Sequence, residues 1–242
     1  LYGFDKVEPV LPYKKIHSIN KAALLTLKNS VREILSNSGS NELLSYSFVG
    51  IDLLNSVNQS PDDCFKIKNP LSKELELMRP SILVSLLEKG KLNTQQGISS
   101  FGIFEMGISH QKESLNNEKL PLEEWKLSYL FTDEKELVDG NPYYQAKRYL
   151  VKLLGKLNIR DVEYTLFSDV NFEDLPIWIK AISGSFEPNS SAIVSVRVGD
   201  SKIVLGILGE INLHVKNNLS LIEFTSGFEI NLEKVILLQT NY

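Results

Sequence analysis

The chain has 242 residues, of which 43% are hydrophobic and 23% charged, with a formal net charge of −4. That is enough chain to bury a sizeable core, as one large domain or two small ones. The acidic balance, with lysines scattered among acids, excludes a surface devoted to gripping phosphate backbones, which needs a basic excess or stripe.

One cysteine, Cys64, allows no internal disulfide, which fits a reducing compartment. His17, His110 and His214 lie far apart in sequence, with no metal-ligand spacing around any of them. No apolar run approaches the roughly 18 residues of a membrane span. Leu1-Tyr2-Gly3-Phe4-Asp5 offers neither the charged nor the apolar region of a signal peptide. The expectation is a cytoplasmic protein without a membrane partner and, since no methionine opens the sequence, a piece of a longer polypeptide.

Residues 1–16 carry two prolines among alternating apolar and charged residues and read as an extended lead-in to a single domain over 17–242. From Ser18 to Ser38 the spacing is helical: Leu24, Leu27, Val31, Ile34 and Leu35 share one face, and Gly39 supplies a stop. Glu42–Val49 reads as a strand, 50–65 as polar loop or short helix, and Phe65–Ile67 as a strand ended by Asn69-Pro70. Arg79-Pro80 opens a helix whose apolar face is Ile82, Leu83, Leu86 and Leu87, with Gly90 near its end. Phe101–Ile108 is predicted as a buried strand, 110–124 as a surface loop and Trp125–Thr132 as a further strand.

Asn141-Pro142 starts a helix running to Leu157, with Ala146, Leu150, Leu153 and Leu154 on one side. Beyond it Val162–Phe167, Ala192–Val198, Ile203–Ile211 and Gly227–Leu232 read as strands, and Leu232–Leu238 as a short helix or turn. Short strands mixed irregularly with three clear helices predict an α+β fold with a mainly antiparallel sheet.

Chemical motifs are missing. The sequence has no P-loop, G-x-G-x-x-G, H-E-x-x-H, G-x-S-x-G or C-x-x-C. Acid pairs such as Asp62-Asp63 and Glu123-Glu124 are adjacent, so their side chains diverge and make poor catalytic dyads. Arg79, followed by proline at a helix start, is suited to meeting a partner's carboxylate or a phosphate, or to bracing the local fold.

Four segments are distinctive in their order: Leu-Tyr-Gly-Phe-Asp-Lys-Val at 1–7, Tyr-Ser-Phe-Val at 46–49, Asn-Pro-Leu-Ser-Lys-Glu with Met-Arg-Pro-Ser-Ile-Leu within 69–83, and Phe-Glu-Met-Gly at 104–107. Tyr143 to Lys147, Gly206-x-x-Gly209-Glu210 and Phe228-Glu229-Ile230-x-Leu232 extend the pattern. Together they resemble the phenylalanine–tRNA ligase beta subunit family over nearly the whole chain.

The resemblance implies a class II aminoacyl-tRNA synthetase-like core, with an antiparallel sheet flanked by helices. It also implies that an editing domain and a helical domain with magnesium-binding acids lie upstream of Leu1, and in bacterial members an anticodon-binding domain beyond Tyr242. The family's first motif, a helix and strand at the subunit interface, falls on Ser18–Ser38 and Glu42–Val49. This makes Leu24, Leu27, Val31, Ile34 and Leu35 the candidate subunit interface, shared with the core.

The second motif's phosphate-gripping arginine falls on Ile108, which has no charge to offer a phosphate. The third motif's glycines fall on Glu229 and Asn231 and its arginine on Lys234; a carboxylate there repels triphosphate, and lysine lacks the planar fork of arginine. The implied function is a degenerate, non-catalytic core that scaffolds assembly with the catalytic alpha subunit in an alpha2-beta2 tetramer acting on tRNA(Phe). No cofactor is expected in this fragment, with ATP and magnesium implied only for the whole complex. The alternatives are a free-standing interaction or regulatory paralogue and an active adenylating enzyme.

Overall fold

The computed structural model describes residues 3–15, 22–112, 115, 117–134 and 142–240. Strand-forming stretches rich in β-branched and aromatic residues supply nine strands among these: β1 (Ser40–Glu42), β2 (Phe48–Val49), β3 (Leu77–Met78), β4 (Phe101–Ser109), β5 (Glu124–Asp133), β6 (Val162–Leu166), β7 (Phe186–Val198), β8 (Ser201–Ile211) and β9 (Phe224–Asn231). The α-helices are α1 (Ala23–Ser36), α2 (Ile51–Ser56), α3 (Leu83–Gln95), α4 (Pro142–Lys156), α5 (Ile177–Ser183), α6 (Leu213–Leu219) and α7 (Leu232–Thr240). Seven strands make one sheet in the order β1-β4-β5-β9-β8-β7-β6, and β2 with β3 makes a small second one. In the main sheet only the β1–β4 pair is parallel. This is the α+β, mainly antiparallel sheet expected from the sequence.

Side chains alternate across a strand, so each strand feeds two layers. One layer holds Phe104, Met106, Leu127, Tyr129, Phe131, Phe228 and Ile230, packed under α1, α4 and α7. The other holds Ile103, Leu130, Ile193 and Ile207 under α2, α3, α5 and α6. The amphipathic helices read from spacing sit where their stripes require: Leu150, Leu153 and Leu154 of α4 and Leu27, Val31 and Leu35 of α1 are buried in the first layer.

Several boundaries differ from the sequence expectation. The strand expected over 42–49 pairs with β4 only through Ser40–Glu42, and Phe48–Val49 turns away to pair with β3. Segment 65–67 contributes a single bridge, Lys66 to Leu77, flanked by two backbone hydrogen bonds. Helix α3 starts at Leu83 rather than Pro80 and runs past Gly90 to Gln95. Gly90 is there for packing: a Cβ would stand 2.9 Å from a Leu130 methyl. Helices α5 and α6, seven residues each, were not expected. The expected helix start at Ser18 and the Asn141 cap lie outside the described residues.

Candidate functional site

The second layer changes character between β4, β5 and β9. Where an apolar core would continue, the strands present Glu105, Gly107 and Ser109 from β4, Lys126 and Ser128 from β5, and Glu229 and Asn231 from β9. Strand register sets them in rows: Glu105 opposite Ser128 opposite Glu229, and Gly107 opposite Lys126 opposite Asn231. The segment Arg79–Ile82 and the start of α3 lie over these rows. The four charged residues Arg79, Glu105, Lys126 and Glu229 are all at most 2% exposed.

Burial of charge requires partners, and each has them. Arg79 Nη2 donates to Glu105 Oε1 at 2.8 Å, while Nη1 donates to Ser45 Oγ at 2.8 Å and Ser85 Oγ at 3.1 Å. The other Glu105 oxygen accepts from Ser45 Oγ. Gly107 leaves room for the guanidinium: a Cβ there would stand 2.6 Å from Arg79 Nη2. Lys126 Nζ donates to Ser109 Oγ at 2.8 Å and lies 4.4 Å from the centre of the Trp178 ring, supplied by α5. Glu229 Oε2 accepts from the backbone N–H of Ile82 at 3.0 Å and of Leu83 at 2.8 Å, where α3 begins.

The electrostatics follow from burial. Desolvation lowers the Lys126 pKa from 10.5 to about 8, against the pull of Glu229 and Glu124. Desolvation raises the Glu229 pKa, opposed by Lys126, the Leu83 and Ile82 N–H groups and Arg79.

The four motif positions do not share one site. Glu229 and Asn231 lie in the polar rows. Ile108 is half-buried on the opposite side of β4, in register with Trp125, whose ring carries Lys28 Nζ 3.6 Å from its centre. Alternation puts Glu105, Gly107 and Ser109 on the polar side in its place. Asn231 is a helix cap: its Oδ1 accepts from Glu233 N at 2.9 Å and Lys234 N at 3.1 Å. Lys234 sits in the first turn of α7, lowered in pKa by burial, and donates to the Val204 carbonyl at 3.1 Å. A phosphate does not fit this set: the polar rows put carboxylates where it would need donors, and Arg79, Lys126 and Lys234 each already donate within the chain.

In α1, Leu27, Val31 and Leu35 are buried in the first layer and Ile34 packs against it, while Leu24 is half-buried. Arg79 braces the local fold through Glu105. Glu105 and Lys126 are site residues that sequence reading missed, although each is a charge at an alternate position of an otherwise apolar strand. Among the described residues no cluster of three or more His, Cys, Asp or Glu could hold a metal ion. Among them too, no helix is long and apolar enough to cross a membrane.

The fold matches that of a pyrrolysyl-tRNA synthetase from Desulfitobacterium hafniense, with a TM-score of 0.67 and 15% identity over 90% of this chain and 70% of that one. In sequence the chain is 27% identical to the phenylalanine–tRNA ligase beta subunit of Fusobacterium nucleatum subsp. nucleatum, covering 100% of this chain and 29% of that protein. It is 28% identical to the beta subunit of Clostridium tetani, over 96% of this chain and 27% of that protein. The chain thus spans less than a third of these relatives. The model of the phenylalanyl-tRNA synthetase beta chain CLM domain matches residues 7–232, nearly the whole length, and the chain belongs to that family.

Proposed function

We propose that this chain is the synthetase-like core of a phenylalanine–tRNA ligase beta subunit, a scaffold for the catalytic alpha subunit that has no adenylation chemistry of its own. In this reading 17–242 form one domain with 1–16 leading into it, and ATP, magnesium and tRNA(Phe) belong to the assembled alpha2-beta2 enzyme. The observation that carries the reading is the buried polar layer. Arg79 is paired with Glu105, Glu229 holds the α3 N-terminus and Lys126 donates to Ser109, so the layer meets a triphosphate with carboxylates and with cations already engaged. Titration calorimetry with ATP and magnesium is expected to show no saturable binding tighter than about 1 mM, roughly −4 kcal/mol. Tighter binding would turn the reading towards an adenylating enzyme.

Assembly needs an outward surface, and most of the α1 stripe is spent on the domain's own core. The link between β1 and β2 has apolar side chains to spare, with Leu44 89% exposed and Tyr46 76%, and Leu71 is 95% exposed. Exposed apolar side chains of this kind are what the centre of a lasting subunit interface requires. Leu44→Asp with Tyr46→Asp is expected to leave the fold intact and abolish co-purification with the alpha subunit. Retained assembly would remove this segment from the interface. A wild-type chain that never co-purifies with alpha would favour a free-standing interaction domain.

A further inference from the structure

The α3 N-terminus carries a net demand for negative charge that the chain meets from within. Its first free N–H groups, on Ile82 and Leu83, converge on one oxygen of Glu229. The helix dipole adds positive potential there. Lys126 lies on the same face of the adjoining strand, two residues along from Ser128, the register partner of Glu229. Arg79 is already neutralised by Glu105 at 2.8 Å. Lys126 donates to Ser109, and among the described residues its one carboxylate within 4 Å is Glu124 at 3.9 Å, a side chain 20% exposed. Glu229 is thus the buried counter-charge of the helix end, on the same face of the sheet as Lys126. Its second oxygen, Oε1, is buried without a hydrogen-bond partner among the described residues, as is Nε of Arg79. A carboxylate held by one oxygen on two backbone N–H groups beside an ammonium, with its other oxygen unclaimed, is the arrangement expected of a bound anion.

We propose that the N-terminus of α3 and Lys126 form an anion-binding site that the chain occupies with its own Glu229 side chain, and that this site accepts a small free carboxylate once that side chain is removed. The proposal rests on the reading that this layer is closed to nucleotide, and it names what closes it. Glu229→Ala deletes the carboxylate and its stem, leaving a cavity of acetate-to-propionate size lined by the two N–H groups and facing Lys126.

Thermal unfolding tests this on the intact chain. The Glu229→Ala midpoint is expected about 10 °C below wild type. Sodium propionate or acetate should raise it saturably by several degrees, with sodium chloride at equal ionic strength as control. Wild type and Glu229→Gln should not respond beyond the chloride control. Equal responses in chloride and acetate, or in wild type and Glu229→Ala, would overturn the proposal.

If Glu229→Ala does not fold, Glu229→Gln decides. It keeps the shape and one acceptor but removes the charge, so the Lys126 side-chain titration, followed by NMR at Cε, should fall below its wild-type midpoint. An unchanged midpoint would mean Glu229 is not the counter-charge, and the proposal fails. Nucleotide binding by wild type is read separately by calorimetry. A wild type that binds ATP would sink the closed-site reading, and carboxylate rescue of Glu229→Ala would still report on the anion site alone.

Discussion

On one side of the central sheet Tyr129 stacks on Phe228 with ring centres 5.1 Å apart, inside a layer of leucine, valine and aromatic side chains. One residue along the same two strands, on the other side, Ser128 lies in register with Glu229, two strands from Arg79's partner Glu105. The strands, the register and the depth of burial are shared, and the chemistry is opposite. The apolar side gains stability in proportion to the area it removes from water. The polar side offsets a desolvation cost with paired charges and roughly breaks even. The two layers should therefore respond differently to damage. An apolar contact is lost in proportion to what is cut away, whereas a charge pair hurts most when only half of it is removed.

The largest expected effect tests that asymmetry. Arg79→Ala or Glu105→Ala strands the other charge at 2% exposure and should cost about 3–5 kcal/mol in urea unfolding. Arg79→Met combined with Glu105→Leu should recover most of that loss. On the apolar side Phe228→Ala should also cost about 3–5 kcal/mol, and adding Tyr129→Ala should deepen the deficit. A single Arg79→Ala costing under about 1 kcal/mol would mean that the pair is solvated and the two sides are alike.

The same contrast explains what the sequence made legible. Helical stripes such as Leu150, Leu153 and Leu154 are read from spacing, because area-driven burial leaves a periodic trace. The strands β4, β5 and β9 were placed within a few residues for the same reason. Helices α5 and α6 escaped because seven residues give too few turns for a period to show, and Ile177-Trp178-Ile179 is a run of residue types common in strands. The break in the expected 42–49 strand comes from long-range partners: Ser45 turns inward to Arg79 and Glu105, and the Ser47 carbonyl accepts from Arg79 N.

At the site, the family resemblance led to Glu229 and Asn231, which lie in the polar layer. It placed the second motif on Ile108, one residue out of phase with that layer, where a single step along a strand changes the face. Alternation alone would have drawn attention to Glu105 and Lys126. Nothing local announced that Arg79, over twenty residues away, would meet Glu105.

A smaller effect should appear with pH. The Lys126 pKa is about 8 in the folded chain against 10.5 for the ordinary side chain. Between those values the unfolded state holds more protons than the folded one, so stability rises with pH. Between pH 8 and 9.5, below most tyrosine titration, the gain should be about 1.5 kcal/mol, and Lys234, lowered by burial as well, adds in the same direction. Lys126→Met should flatten the profile. A wild-type profile already flat over that range would place Lys126 in contact with solvent and remove the strongest electrical difference between the two sides.

The smallest effect separates a local role from a networked one within the polar layer. Asn231 is 1% exposed and stands in register with Lys126, so position alone would enrol it among the charges. Its hydrogen bonds say otherwise: Oδ1 takes the second and third N–H groups of α7, and among the described residues Nδ2 has no partner. A cap of this kind is worth about 1 kcal/mol, so Asn231→Ala should shift the urea midpoint by that amount with unchanged slope. Asn231→Asp keeps both acceptor bonds and brings a carboxylate towards the α7 dipole and Lys126. It should stay within about 1 kcal/mol of wild type and move the pH-dependent rise upward, because a nearby anion raises the Lys126 pKa. An Asn231→Ala variant as damaged as Arg79→Ala would show that Asn231 holds the charge network together, and the polar layer would then be a single cooperative unit reaching from Arg79 to α7.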